Sequence, residues 1–134
     1  NLSPFMTTPQ EKEQLYFPIH INTHWFLLVV VNKGVSSSNS TSIRAPKLEI
    51  LQLDSLGDSG SGPAGRVQEF LLHRCAYEQE CDVNDIRGFF EDVPVWMVKT
   101  PQQRNYDDCG VFTLLYAELS LKEKFHEQEL ANLV

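Results

Sequence analysis

"YFPIHINTHWFLLVVVN", residues 16–32, decides the fold. It holds two short runs rich in β-branched and aromatic residues, parted by the polar break Asn22-Thr23, and such runs read as strands. Pro18 removes a ladder donor, so the first run, 16–22, belongs at a sheet edge. The second, 24–32, is apolar on both faces and should be a central strand. Working outward, "KLEILQLDS" (47–55) puts Leu48 and Ile50 on one face and Leu51 and Leu53 on the other, again a buried strand, and it ends at Asp54. The serine-rich stretch between them, 33–46, bounded by Gly34 and Pro46, reads as a flexible insertion loop. Residues 1–15 form an irregular lead-in.

After the glycine-rich connection 55–65, Val67, Phe70, Leu71 and Cys75 recur at helical spacing on one face. Residues 83–93 suggest a short helix, and "PVWMVKT" (94–100) another strand. From Val111 the residues Val111, Phe112, Leu114, Leu115, Ala117 and Leu119 leave hardly any polar face, so this helix should run through the core. The tail from Lys122 to Val134 reads as a terminal amphipathic helix. The expected class is α+β: a mostly antiparallel sheet packed on a central helix, in one domain spanning 1–134.

The 134 residues suffice for one core, and 42% apolar with 22% charged residues is ordinary for a globular chain. A net charge of −7 with no basic cluster argues against nucleic acid, and no apolar run approaches the roughly 20 residues that cross a bilayer. Cys75, Cys81 and Cys109 are an odd set with no secretory signal ahead of them, which favours a reducing compartment over a disulfide framework. The sequon-like Asn39-Ser40-Thr41 is discounted for the same reason. His73, Cys75 and Cys81 fit no common zinc spacing and lack an obvious fourth ligand, so no metal is expected.

Chemistry gathers around "PQQRNYDDCG", residues 101–110. Asp107 or Asp108 is a good N-cap, which places Cys109 in the first turn of the apolar helix. There the unpaired N–H groups and the helix dipole favour a thiolate, the nucleophilic form. A buried structural cysteine is the plain alternative. A nucleophilic thiol needs a base, and the base needs an orienting group. His24, at the mouth of the central strand, and Asp54, at the end of the next, emerge at one sheet edge if the strands pair. Asp54 would then accept from Nδ1–H of His24, leaving Nε2 to face Cys109. A loop histidine and a turn aspartate are the plain readings of each alone. Gln103 offers a side-chain amide for a developing oxyanion, with Gln102 as competitor.

In order and wording, "PIHINTHWFLLVV", "LEILQLDS" and "PQQRNYDDCG" resemble the His-Trp, Asp and Pro-Gln-Gln…Asp-Cys-Gly segments of the ubiquitin-like-protein-specific (SUMO, or sentrin) cysteine proteases, from about Tyr16 to Glu118. The resemblance implies the papain-like superfamily with the adenain-like chain order His, Asp, Cys. It implies His24 as general base, Asp54 as its orienting partner, Cys109 as nucleophile, Gln103 as oxyanion donor and Trp25 as the roof of a narrow channel for a Gly-Gly tail. A core or rim aromatic is the alternative for Trp25. It further implies cleavage after the C-terminal Gly-Gly of SUMO or a related modifier, in maturation or deconjugation, by a nuclear or cytoplasmic enzyme that acts as a monomer without cofactor. The partners are the modifier and its conjugates, with neither nucleic acid nor membrane involved. The loop between Gln103 and Cys109 departs from the family's usual glycine and aromatic, and the family's N-terminal helical portion is not found, so the chain reads as the C-terminal part of a larger catalytic domain. Two rivals stay open: an acyltransferase of the same clan and a non-catalytic modifier-binding module.

Overall fold

A computed structural model describes residues 14–37, 44–57, 60, 62–105 and 107–123. Four strands form one sheet in the order β1-β2-β3-β4. Strand β1 (Gln14–Ile21) pairs antiparallel with β2 (His24–Ser37), and the pair Ile21↔His24 closes the hairpin. The break read at Asn22-Thr23 is a two-residue turn with φ of 51° and 63°. Positive φ at both positions matches the right-handed twist of the flanking strands. Thus the turn fixes where His24 begins its strand. Pro18 lies on the edge strand, as its missing N–H requires.

Strand β3 (Arg44–Leu53) pairs antiparallel with the other side of β2. The loop expected over 33–46 is therefore much shorter, because β2 continues to Ser37 and β3 starts at Arg44, with Ser37↔Arg44 paired. The register shifts between Asn32 and Val35, where Gly34 takes a φ of 130° and donates its N–H to Asn32 Oδ1. A bulge absorbs the Lys-Gly that looked like a strand end. Residues 38–43 of that expected loop, most of the lead-in (1–13) and most of the expected terminal helix (124–134) lie outside the described residues.

Helix α1 (Gly62–Glu78), the short helices α2 (Val83–Ile86) and α3 (Gly88–Glu91), and strand β4 (Val95–Met97) follow. Asp82 caps α2 by accepting the Asn84 N–H at 2.8 Å. β4 lies parallel to β3, with Leu51↔Trp96, so the sheet is antiparallel except at this edge. The helices between them supply the crossover a parallel pair needs. The strand expected over 94–100 is cut to three residues.

Alternation along β2 and β3 splits the core in two. Phe26, Leu28, Val30, Leu48 and Ile50 face α1, where Val67, Leu71, Leu72 and Cys75 meet them. Leu27, Val29, Leu51 and Leu53 face helix α4 (Cys109–Glu123), which presents Tyr116, Phe112 and Ala117. Both faces of the central strands are covered, which explains their unbroken apolar text. Phe70, expected on the buried face of α1, is 56% exposed and sets its ring edge-on to Phe17 at 6.2 Å.

Helix α4 does not run through the core as its composition suggests. After Cys109 its buried positions among the described residues are Thr113, Tyr116 and Ser120, while Val111, Leu114 and Leu121 are exposed, Leu114 at 73%. Two of the polar groups on the inner side are bonded: Thr113 Oγ1 donates to the Cys109 carbonyl at 2.9 Å, and Tyr116 Oη to the Pro101 carbonyl at 2.6 Å. Burial therefore carries no unpaired hydroxyl at either site.

Candidate active site

The hairpin turn delivers His24 to the first position of β2, and the end of β3 delivers Asp54. Extending the pair Leu27↔Leu53 by one step sets Phe26 level with Asp54, so His24 is its diagonal neighbour. Diagonal side chains start about 7–8 Å apart, and the far nitrogen of the ring bridges that gap. His24 Nε2 meets Asp54 Oδ1 at 2.7 Å. This corrects the expected tautomer, in which Nδ1 faced the carboxylate. The carboxylate thus bonds the far nitrogen of the ring and not Nδ1. Among the described residues buried Nδ1 has no hydrogen-bond partner.

Asp54 is buried at 3% exposure and heavily held. Its Oδ1 also accepts the Leu56 N–H at 2.9 Å, and its carbonyl accepts from Thr100 Oγ1 at 3.0 Å and from Gln102 Nε2 at 3.1 Å. The Leu56 N–H orients the carboxylate, and the two bonds to the carbonyl hold the main chain that carries it. Gln102, the rival to Gln103, is spent on this bracing and on the Thr100 carbonyl.

Cys109 opens α4 and is buried at 5% exposure. Its Sγ accepts the main-chain N–H of Trp25 at 3.4 Å, which ties the sulfur to the residue next to His24 across 84 positions of chain. The carbonyl of Asp108 accepts the Phe112 N–H at 3.0 Å, beginning the helical ladder. Its carboxylate, expected to cap, instead accepts from Asn105 Nδ2 at 2.7 Å.

Gln103 is buried and turned into the same end of the sheet. Its N–H donates to the Ser55 carbonyl at 2.8 Å, the Ser55 hydroxyl donates to its Oε1, and its Nε2 donates to the Asn105 carbonyl at 2.6 Å. Trp25 is 40% exposed and stacks on His20 with ring centres 4.6 Å apart. A Cβ at Gly110 would lie 3.9 Å from the Trp25 ring, so the indole also borders the first turn of α4. Among the described residues no group of His, Cys, Asp and Glu is arranged to hold a metal ion.

Sequence reading missed Ser55, Thr100, Asn105 and Tyr116. Asn105 had a local signal, since an Asn three residues before Asp108 can turn back on its own main chain. Its Oδ1 accepts from Asp107 N at 3.1 Å and Asp108 N at 3.0 Å. Tyr116 had none. Burial, the largest cause, and the Asp54 charge push its phenol up, against the Thr100 hydrogen bond.

Residues 6–133 match the Ulp1 protease family, C-terminal catalytic domain. The probable ubiquitin-like-specific protease 2B of Arabidopsis thaliana is 31% identical over 116 residues, covering 84% of this chain and 12% of the relative. Ubiquitin-like-specific protease 2 of Schizosaccharomyces pombe is 28% identical over 148 residues, covering 90% and 22%. Sentrin-specific protease 2 of Homo sapiens is 27% identical over 114 residues, covering 85% and 17%. A solved structure, "Crystal structure of the de-sumoylating protease", superposes with a TM-score of 0.66 at 21% identity, over 96% of this chain and 50% of that one. The fold is thus the Ulp1 type of the papain-like clan, and the chain spans under a quarter of the length of these curated relatives and half of the solved one. On the match over nearly its whole length, this chain belongs to the Ulp1 protease family.

Proposed function

We propose that this domain is a cysteine protease that cleaves after the C-terminal Gly-Gly of SUMO or a related ubiquitin-like modifier, releasing it from a precursor or from a lysine. The observation that carries this reading is the 2.7 Å bond from His24 Nε2 to Asp54, with Cys109 Sγ held against the Trp25 N–H at the head of α4. The named functions of the relatives support the substrate class.

In this reading His24 Nδ1 takes the proton of Cys109 Sγ, and Asp54 orients the ring and balances the charge that forms on it. The sulfur attacks the glycine carbonyl. Gln103 Nε2 and the Cys109 main-chain N–H, an unpaired donor of the first helical turn, stabilise the oxyanion. His24 Nδ1–H then protonates the leaving amine, and a water deprotonated by the same nitrogen hydrolyses the thioester. Trp25 narrows the approach so that only residues without a Cβ pass, which selects glycine. A nuclear or cytoplasmic compartment suits a mechanism that needs its thiol reduced, and one copy supplies every group named.

A Gly-Gly electrophile built on a ubiquitin-like modifier tests this. Covalent capture by the protein, lost in Cys109→Ala with the fold retained, is expected. Binding without capture favours a modifier-binding module, and labelling by acetyl-CoA favours an acyltransferase; either result overturns the protease.

A further inference from the structure

The two ends of the Gln103 amide are held by different parts of the fold. A main-chain carbonyl only accepts, so the atom 2.6 Å from the Asn105 carbonyl is the nitrogen. Oε1 is therefore the atom that meets the Ser55 hydroxyl, and the hydroxyl donates. The network sets the amide orientation. Ser55 is buried at 1% exposure and follows Asp54 directly, and its carbonyl also accepts the Gln103 N–H at 2.8 Å. One residue thus grips Gln103 by main chain and side chain. On the other side, Asn105 is fixed by two main-chain N–H groups, from Asp107 and Asp108, and by the Asp108 carboxylate, one residue before Cys109.

An amide nitrogen carries two hydrogens, and the Asn105 carbonyl takes one. One remains for the substrate. Were the amide reversed, Oε1 would present lone pairs to a developing negative charge, which raises the barrier instead of lowering it. We propose that Ser55 and Asn105 are positioning residues that lock the Gln103 amide with its free N–H toward the oxyanion. Through this clamp the end of β3, which also carries the carboxylate, and the head of α4, which carries the sulfur, set the donor together. The proposal rests on the oxyanion role given to Gln103 above.

The test compares Ser55→Ala, Asn105→Ala, Gln103→Ala and the double variant Ser55→Ala/Gln103→Ala on a fluorogenic C-terminal amide of the modifier. Alkylation of Cys109 by iodoacetamide, which forms no oxyanion, is measured in parallel. Removing an oxyanion donor costs about 10² to 10³ in kcat, and loosening one is expected to cost about 10- to 100-fold. Ser55→Ala and Asn105→Ala should lower kcat by that amount, with KM and the alkylation rate within about twofold, and the double variant should be no slower than Gln103→Ala. A Ser55→Ala loss that adds fully to that of Gln103→Ala, an equal fall in alkylation, or an unchanged kcat overturns the clamp. If Gln103→Ala itself leaves kcat intact, the oxyanion role fails first and is seen to do so. Asn105 is exposed, so its variant keeps the test decisive if Ser55→Ala does not fold.

Discussion

Replacing Asp54 by Asn keeps the shape of the site and removes one charge. The amide oxygen can still accept from His24 Nε2 and from the Leu56 N–H, which now lie 2.7 and 2.9 Å from Oδ1. Hydrogen bonds to a charged acceptor are worth about 1 kcal/mol more than neutral ones, so two of them predict a stability loss of about 2 kcal/mol. The rate should suffer more. In the proposed mechanism His24 holds the thiol proton and its positive charge as the sulfur attacks, and the missing carboxylate charge is then felt. Two unit charges about 4 Å apart interact by about 4 kcal/mol at an effective dielectric of 20, which is worth about 10³ in rate. Hydrolysis of a fluorogenic modifier amide should show kcat reduced by about that factor and KM within about threefold, because Asp54 touches no substrate in this reading. Thermal unfolding measured alongside confirms the fold. A kcat loss under about tenfold, or one carried by KM, refutes the role given to the carboxylate.

Three other outcomes check the fold and the Cys81 thiol. Thr23→Gly should stabilise the protein by about 0.5–1 kcal/mol in urea unfolding, because a β-branched residue at a φ of 63° is strained and Asn-Gly is the favoured pair for this turn. Leu28→Ala, at a fully buried position under α1, should cost about 2–5 kcal/mol in the same assay. Burial first, then the Asp85 and Asp82 carboxylates, push the Cys81 thiol up. Less thiolate is then present at any given pH, so in the folded protein Cys81 alkylation should lag that of free cysteine at pH 8 and rise only above the ordinary thiol range, followed by mass spectrometry.

Much of the sheet was legible because strand text is local. Aliphatic runs around Leu28 and Leu51 can be buried only if both faces are covered, and Pro18 can sit only at an edge. The loop bounds were misread because a bulge at Gly34 looks, in one dimension, like the end of a strand. Helix α4 was misread for a related cause: its composition reports how apolar each side is, and not which side meets the sheet. The inner side turned out to hold Thr113, Tyr116 and Ser120.

The candidate site divides in the same way. Local chemistry alone nominated His24, Asp54, Gln103 and Cys109, since a base at a strand mouth, an acid at a strand end, an amide in a polar loop and a thiol at a helix head each have a recognisable setting. Which nitrogen of His24 meets Asp54 depends on the register of β2 against β3. The grip of Ser55 on Gln103 joins residues 48 positions apart, and that of Trp25 on Cys109 joins residues 84 apart. Residue type and neighbour determine what a side chain can do. Only the packed chain brings distant groups within the roughly 3 Å at which hydrogen bonds act, and so decides which of them do it.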